Sequence, residues 1–213
     1  MTNETVISLF DYTGNMVRPW AESGYKCLCF DIQHPALKNH TIFSYPSGGE
    51  IRFIKVDLLT WRPYKDEYDA KILFAFPPCT DVAVSGARHF KNKGLGKLIN
   101  ALKLFKASID IAEKLKCPYM LENPVSTVST YWRKPDHIFQ PYDFTGFCPH
   151  DNYTKKTCLW TGNGFVIPKP RPDLSLGTPD NRIHKAPPDL IAQIFEAPHL
   201  SVLQEQFLRQ IRT

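Results

Sequence analysis

No apolar run in this 213-residue sequence is long enough to cross a membrane, and no basic segment with an apolar core behind it stands near the first residue. Internal repeats and a break of domain size are also missing. The apolar share of 43% is ordinary for a globular protein, which excludes disordered and fibrous chains. We therefore expect a single folded domain over residues 1–213, without a membrane partner and located in the cytoplasm.

The six cysteines lack the tight spacing of a disulfide framework. Cys148, His150 and Cys158 come nearest to a zinc site, but a fourth ligand is missing and the spacing fits no closed site. We expect reduced thiols and no metal. The net charge of +5 permits an anionic partner such as nucleic acid without demonstrating one.

Short apolar segments alternate with helical patterns through most of the chain. Strands are predicted at 6–10, 25–30, 51–56, 72–76, 118–121 and 154–160, and helices at 17–23 and 98–115. This alternation predicts an α/β fold of the Rossmann-like kind, in which a mostly parallel sheet carries helices on both faces.

The segments between these elements are predicted to be irregular. Residues 34–49 are polar and include a loop at 46–49, and 80–90 are too mixed for a regular element. Lysines and glycines alternate in 91–97, which predicts a mobile basic loop. From about residue 161 the chain is loop-rich, with a proline-rich surface excursion at 168–188 and two short helices within 190–211.

Cys79 is the first candidate for chemistry. Pro77 and Pro78 precede it, and because proline cannot donate to a sheet ladder the buried strand has to end there. The thiol is thereby delivered to the carboxyl end of a strand, where ligands collect in open α/β sheets. Cys79 is either a nucleophile or a small buried structural residue, and the local pattern favours neither.

Acidic residues follow two other predicted strands. The first strand ends at Phe10 and runs into a turn with Gly14, and Asp31 and Asp57 stand after the next two strands. This order is typical of a nucleotide-type cofactor site, where a turn approaches the ligand and an acid accepts hydrogen bonds from a ribose. A surface acid at a strand end explains each carboxylate equally well when it is taken alone.

Glu122 and Asn123 follow the predicted strand at 118–121, and Pro124 ends that strand. A carboxyl group beside a catalytic thiol can lose part of its hydration and hold a proton for general acid catalysis. If Glu122 stood alone, a capping or surface acid would be the better explanation.

Taken together and in this order, the motifs resemble the cytosine-5 DNA methyltransferase family over roughly residues 5–160. Cys79 with the proline before it resembles the family's Pro-Cys nucleophile, and Glu122 with Asn123 resembles its Glu-Asn-Val acid. Further similarities lie in the first cofactor motif, the two cofactor-binding acids, the Ser-Gly after the cysteine and a late Gln-x-Arg-x-Arg strand. The residues at these places are Leu9, Phe10, Gly14, Asp31, Asp57, Ser85, Gly86 and Lys155 to Trp160.

The resemblance implies S-adenosylmethionine as cofactor and DNA as the main partner, with transfer of a methyl group to C5 of cytosine. In that chemistry a thiolate adds to C6, an acid acts at N3, and the base is flipped out of the duplex. The implied catalytic residues are Cys79, Glu122, Asn123 and Lys156. The implied cofactor-binding residues are Phe10, Gly14, Asp31, Ile32, Asp57 and Pro77. The implied substrate-binding residues are Pro78, Thr80, Ser85 and Gly86.

The sequence also departs from the family. Tyr12 and Asn15 replace glycines of the first motif, and Ile32 stands where an aromatic residue would face the adenine. Lys156 and Cys158 align with two arginines of the late strand, and lysine lacks the planar fork of arginine. The long target-recognition domain that usually follows this strand is replaced by the proline-rich stretch.

Three classes of function therefore remain open. The first is a DNA cytosine-5 methyltransferase, similar to compact phage or mobile-element products, with little sequence specificity or with specificity supplied by a protein partner. The second is a pyrimidine C5 transferase that acts on a free nucleotide or on single-stranded nucleic acid. The third is a non-catalytic nucleic-acid-binding protein on the same fold, although such a protein needs neither Cys79 nor Glu122.

Overall fold

The computed structural model describes residues 4–35, 41–64 and 68–181. Over these residues the chain forms eight β-strands and three α-helices. The strands are β1 (Thr5–Leu9), β2 (Lys26–Asp31), β3 (Thr41–Ser44), β4 (Glu50–Lys55), β5 (Ala70–Ala75), β6 (Tyr119–Pro124), β7 (His137–Phe139) and β8 (Thr157–Gly162). The helices are α1 (Arg18–Glu22), α2 (Phe90–Leu115) and α3 (Val128–Tyr131). The helices predicted within 190–211 lie outside the described residues.

The eight strands belong to one sheet in the order β3-β4-β2-β1-β5-β6-β8-β7. The strands from β4 to β6 are parallel to one another, whereas β3 with β4, β6 with β8, and β8 with β7 are antiparallel pairs. The chain leaves β1 toward β2 and β4, then returns to β5 on the other side of β1. A mostly parallel, mixed α/β sheet of the general Rossmann-like kind is thus confirmed, with its switch point between β1 and β5.

Each face of the sheet carries its own hydrophobic core, because successive side chains of a strand point to opposite faces. The core that joins α1 to the sheet includes Val6, Trp20, Ala21, Cys29 and Phe74. The core that joins α2 to the sheet includes Ile7, Phe30, Leu73, Phe105 and Ile111. The prediction of helices on both faces is confirmed. No helix among the described residues combines the length and the apolarity needed to span a membrane.

The polar segment 34–49 contains a strand that was not predicted, β3, and it has a turn at 46–48 within the predicted loop. Its side chains are mostly exposed, Ile42 and Phe43 among them, and β3 pairs only with β4 at the edge of the sheet. An edge strand that buries neither face lacks the alternation by which strands are recognised in a sequence.

The prediction of a basic loop at 91–97 is wrong. Residues Val84–His89 form a 3₁₀ helix, and α2 follows directly from Phe90. Gly94 adopts φ 77° and ψ 169° inside α2, which is a kink and not an end of the helix. Lysine is a good helix former, so only one residue in this segment has to leave the helical conformation. The helix predicted at 98–115 is confirmed and is longer than predicted.

Candidate active site

The carboxyl ends of β4, β2, β1, β5 and β6 lie side by side in that order. Two groups of side chains meet there. The acidic half, at the ends of β1, β2 and β4, contains Phe10, Asp11, Gly14, Asp31 and Asp57. The thiol half, at the ends of β5 and β6 and before β8, contains Cys79, Glu122, Asn123 and Lys155. The edge therefore brings the predicted strand-end residues together as the parallel topology requires.

The Cys79 turn is held by its own backbone. Strand β5 ends at Ala75, ahead of Pro77 and Pro78. The carbonyl oxygen of Cys79 accepts hydrogen bonds from the backbone N–H groups of Val82 (3.0 Å) and Ala83 (2.8 Å). The ammonium of Lys93, on α2, donates to the carbonyl oxygen of Thr80 at 2.6 Å. It also lies 2.9 Å from the carboxylate of Asp81. The thiol thus stands on a compact turn that is fastened to α2.

Asn123 joins this turn to β6. Its Nδ2 donates to the carbonyl oxygen of Pro77 at 3.0 Å, and the side chain is buried. Further along, Ala83 and Ser126 form an antiparallel bridge. Asn123 is therefore a positioning residue: it fixes the end of β6, which carries Glu122, against the turn that carries Cys79.

Glu122 and Lys155 form a buried ion pair beside Cys79. Nζ of Lys155 lies 3.7 Å from Oε1 of Glu122, with only 5% and 11% of the two side chains exposed. Burial and, to a smaller extent, the charge of Glu122 raise the pKa of Cys79 to about 11, and the charge of Lys155 opposes both. Burial lowers the pKa of Lys155, while Glu122 and Cys79 oppose that change. The three ionisable groups therefore act on one another electrostatically.

The structure corrects the lysine that was predicted for this site. The side chain of Lys156 is exposed, whereas Lys155 is buried against Glu122. Neighbouring residues beside a strand point to different sides, so only one of the two can face the site. The sequence alone does not reveal which of the two lysines is buried, because it does not fix the register of the strand.

Buried polar atoms without a hydrogen-bond partner are concentrated in the thiol half. Among the described residues, three such atoms lie within residues 123–127, Asn123 Oδ1, Ser126 Oγ and Thr127 Oγ1, whereas Oε1 of Glu122 has Lys155 as its ion-pair partner. Leaving a buried polar group unpaired costs about 1–3 kcal/mol, so native proteins rarely leave several together. The cluster indicates a place where the polar groups of a ligand complete the hydrogen bonding.

The first turn of the acidic half is organised by Asp11, which was not among the predicted site residues. Its Oδ1 accepts from the N–H of Gly14 at 2.7 Å, and its Oδ2 accepts from the hydroxyl of Ser8 at 2.8 Å. Burial raises the pKa of Asp11, and these hydrogen bonds oppose the rise. Gly14 has φ +69°, and a Cβ there would lie 2.7 Å from Cζ of Phe53. The side chain of Asp11 therefore holds this turn. The sequence feature that could have identified Asp11 is an aspartate three residues before a turn glycine.

Asp31 and Asp57 occupy the positions predicted for them. Asp31 is the last residue of β2 and is buried, and its Oδ1 accepts from the N–H of Gln33 at 2.8 Å. Oδ1 of Asp57 accepts from the N–H of Leu59 at 2.9 Å. A carboxylate has two oxygens with several lone pairs, so both acids keep acceptor capacity for a ligand. Ile32 is 57% exposed beside Asp31 and presents an aliphatic surface.

This half suits hydroxyl and cationic groups better than phosphate. The N–H of Gly14 already donates to Asp11, so it does not offer a free anion-binding group. Helix α1 has five residues, which is too short to supply a strong dipole. Three carboxylates at neighbouring strand ends repel a phosphate and attract a positive charge.

The remaining predicted substrate residues lead into an exposed basic arm, residues 84–100. Pro78, Thr80 and Ser85 are exposed, and no residue from 84 to 100 is buried. The arm contains no acidic residue and four basic ones, Arg88, Lys91, Lys93 and Lys97. A groove of about 260 Å³ at the kink is lined by Asp81, Phe90, Lys91, Lys93, Gly94, Leu95 and Leu98. Gly86 lies in the 3₁₀ helix at the start of the arm.

No known family model matches the sequence, and no curated protein matches it either.

Proposed function

We propose that this protein transfers a methyl group from S-adenosylmethionine to C5 of cytosine in DNA, through a covalent bond between Cys79 and C6 of the base. The observation that carries the proposal is the thiol half. A thiol, a buried carboxylate–lysine pair and three further buried polar atoms without a hydrogen-bond partner lie at or just beyond the ends of two adjacent strands. A structural cysteine requires none of these neighbours.

The chemistry makes use of each group. C5 of cytosine becomes nucleophilic only after a sulfur–carbon bond forms at C6. The Cys79 thiol is protonated at neutral pH, so its proton has to leave as that bond forms. The carboxylate of Glu122 can take this proton and deliver it to N3, which neutralises the negative charge that develops on the ring. The charge of Lys155 stabilises the thiolate as it forms.

The reaction closes without a net change in the protein. Once C5 carries the new methyl group, a base removes the C5 proton, the C5–C6 double bond re-forms and the bond to sulfur breaks. The proton on N3 returns to Glu122, and Cys79 leaves as a thiolate that is protonated again. Asn123 holds the Cys79 turn against β6 during these steps and so keeps sulfur and carboxyl together.

The acidic half supplies residues that fit the cofactor. Asp31 and Asp57 offer carboxylate oxygens to ribose hydroxyls and to an adenine amino group, and Asp11 adds negative charge near a cationic ligand. S-adenosylmethionine, when bound, provides a methyl group attached to a positively charged sulfur. A phosphate-bearing dinucleotide fits this half less well for the reasons of charge given above.

The basic arm supports a nucleic-acid substrate. Lys93 is paired with Asp81, and the other three basic residues, Arg88, Lys91 and Lys97, have no acidic residue near them in the arm sequence, which favours contact with phosphates. Because a cytosine inside a duplex is out of reach, the base has to leave its stack to meet Cys79.

A second substrate class is favoured by a different observation. After β8, the described residues up to 181 contain only a short 3₁₀ helix, Leu174–Leu176, as regular structure. No folded target-recognition unit is therefore present in this part of the chain. Single-stranded nucleic acid or a free pyrimidine nucleotide suits such a site, and so does duplex DNA that is presented by a protein partner.

A methyl-transfer assay with a tritiated donor separates these substrates. Duplex DNA, single-stranded DNA, RNA and free nucleotides are compared with wild-type protein, Cys79→Ala and Glu122→Gln. We expect label at C5 of cytosine, loss of transfer in Cys79→Ala, and a decrease of about 10²–10⁴-fold in Glu122→Gln. Cys148→Ala and Glu113→Gln, which lie outside the site, serve as controls. Donor binding without transfer to any substrate would replace the proposal with a non-catalytic binding protein.

A further inference from the structure

Tyr12 presents an aromatic surface in the acidic half. Its side chain is 52% exposed, and its ring stacks on the imidazole of His34 with a centroid distance of 5.5 Å and an interplanar angle of 16°. An exposed tyrosine usually samples several rotamers, and stacking on a fixed partner restricts it. One face of the Tyr12 ring is therefore covered, and the exposed fraction leaves the ring open to a ligand.

His34 is a rigid support for that ring. It is only 2% exposed, and it packs edge-on against Phe53 at 5.1 Å and 71°. The backbone of Asp11 accepts a hydrogen bond from the imidazole, while Nε2 has no partner among the described residues. Burial lowers the pKa of His34, so the ring is neutral at pH 7 and places no positive charge behind Tyr12. An unpaired buried nitrogen at this place also indicates that a ligand group belongs nearby.

The order of the strands determines which strand end lies next to the charged sulfur of a bound methyl donor. Asp31 and Asp57, the candidates for binding the nucleoside part, follow β2 and β4, and Cys79 follows β5. Strand β1 lies between β2 and β5. A donor that is held by those acids and reaches toward Cys79 therefore has to pass the end of β1. Asp11 and Tyr12 stand at that end.

We propose that Tyr12, held in place by His34, binds the positively charged sulfur of the donor through its ring and makes the site prefer the charged donor to its neutral demethylated product. The inference rests on the proposed function. A cation over an aromatic ring is attracted by the negative face of the ring, with an effect of about 2- to 30-fold in affinity. The preference has a use, because the product leaves the site more readily than the donor.

Calorimetry with S-adenosylmethionine, S-adenosylhomocysteine and sinefungin, an analogue that carries an amine at the position of the sulfur, tests the inference without any methyl transfer. In Tyr12→Leu, we expect the affinity ratio of S-adenosylmethionine to S-adenosylhomocysteine to fall by about 2- to 30-fold, and sinefungin to weaken with the charged donor. Tyr12→Phe keeps the ring and should keep the ratio. Tyr131→Leu removes an exposed tyrosine from α3 and should also keep it.

The outcomes separate the two proposals. An unchanged ratio in Tyr12→Leu, with all three compounds still bound, would overturn the role of Tyr12 and leave the proposed function standing. A ratio lost equally in Tyr12→Phe would overturn it as well, because the hydroxyl and not the ring would then be responsible. If none of the compounds binds to folded wild-type protein, the cofactor assignment falls and the role of Tyr12 falls with it.

Discussion

The acidic half and the thiol half lie on the same sheet edge, yet they differ in how completely their buried polar groups are hydrogen-bonded within the protein. In the acidic half the hydrogen bonds of Asp11 to Ser8 and Gly14 are made within the protein, and the turn needs no ligand to hold its shape. In the thiol half three buried polar atoms lack a hydrogen-bond partner, and the two atoms of the buried Glu122–Lys155 ion pair lie 3.7 Å apart. The turn of the acidic half is therefore preorganised. In the thiol half, we expect the polar groups of a ligand to supply the missing hydrogen bonds.

The two halves also differ in the sign of the charge around them. Asp11, Asp31 and Asp57 make the first half attractive to hydroxyl and cationic groups. The basic arm, which follows the Cys79 turn in the chain, is attractive to anions through Arg88, Lys91 and Lys97. The proposed reaction, which joins a cationic donor to a polyanionic acceptor, is favoured by this division, because each partner is steered to its own half.

The largest expected effect concerns the ion pair of the thiol half. Lys155→Met leaves the Glu122 carboxylate buried without its cation, so the free energy of unfolding should fall by about 3–5 kcal/mol. The double variant Glu122→Gln/Lys155→Met removes both charges and should recover most of the loss. Urea denaturation at pH 7 measures both. Lys156→Met, one residue away and exposed, should stay within about 0.5 kcal/mol of wild type. Equal losses in Lys155→Met and Lys156→Met would refute the buried pair.

A second effect concerns the protonation of Cys79. Burial and the charge of Glu122 disfavour the thiolate and raise the pKa of Cys79 from 9.0 to about 11. The rate of alkylation of Cys79 should therefore increase with pH, and the midpoint of the pH–rate curve should lie near pH 11. Glu122→Gln removes a negative charge and should lower this midpoint, whereas Lys155→Met removes a positive charge and should raise it. Mass spectrometry of the Cys79 peptide after brief alkylation at each pH supplies the rates. Shifts of the opposite sign would show that these groups do not act on the thiol.

The acidic half should be sensitive to the backbone of its turn. Gly14→Ala introduces a Cβ at φ +69° and 2.7 Å from Phe53, so we expect a loss of about 1–3 kcal/mol. Gly96→Ala is the matched control, because Gly96 lies within α2 and its Cβ would meet nothing within 4 Å. That change should stabilise the protein by up to about 1 kcal/mol. Thermal denaturation distinguishes the two, and a tolerated Gly14→Ala would contradict the described turn.

The smallest expected effect concerns the basic arm. If Lys91 and Lys97 each contact a phosphate, the double variant Lys91→Gln/Lys97→Gln should reduce the slope of log affinity against log salt by about 1 for each lost contact. Fluorescence anisotropy with labelled single-stranded and duplex DNA at several salt concentrations gives the slope. Lys114→Gln, in the last turn of α2, controls for net charge. A slope equal to that of the control would exclude the arm from the nucleic-acid contact.

The positions of the strand-end residues were predictable because apolar segments bounded by proline or acids define where strands stop. Cys79, Asp31 and Glu122 could be placed on one edge once the strands were taken as parallel. The register of β8 was not predictable, because Lys155 and Lys156 are chemically alike and only the pairing of β8 with β6 decides which of them faces Glu122.

His34 escaped prediction because its role depends on contacts with Tyr12 and Phe53, which no local pattern records. Asp11 differs, because its hydrogen bonds to Ser8 and Gly14 are local and the spacing to Gly14 is visible in the sequence. Residues 91–97 of the arm were predicted as a loop because they contain two glycines. Glycine lowers helix propensity without forbidding a helix, and only Gly94 departs from helical dihedral angles within α2.

The most direct test of the central claim is to trap the bond between Cys79 and a base. An oligonucleotide with 5-fluorocytosine at the target position has no C5 proton to release, so the reaction should stop at the covalent stage when the methyl donor is present. We predict a protein–DNA species that survives denaturing electrophoresis, with the oligonucleotide attached to the peptide of Cys79, and none with Cys79→Ser, because a hydroxyl is far less ionised than a thiol. The absence of this species with single-stranded DNA, duplex DNA and 5-fluorocytidine nucleotides, while the folded protein binds the donor, would contradict covalent catalysis by Cys79.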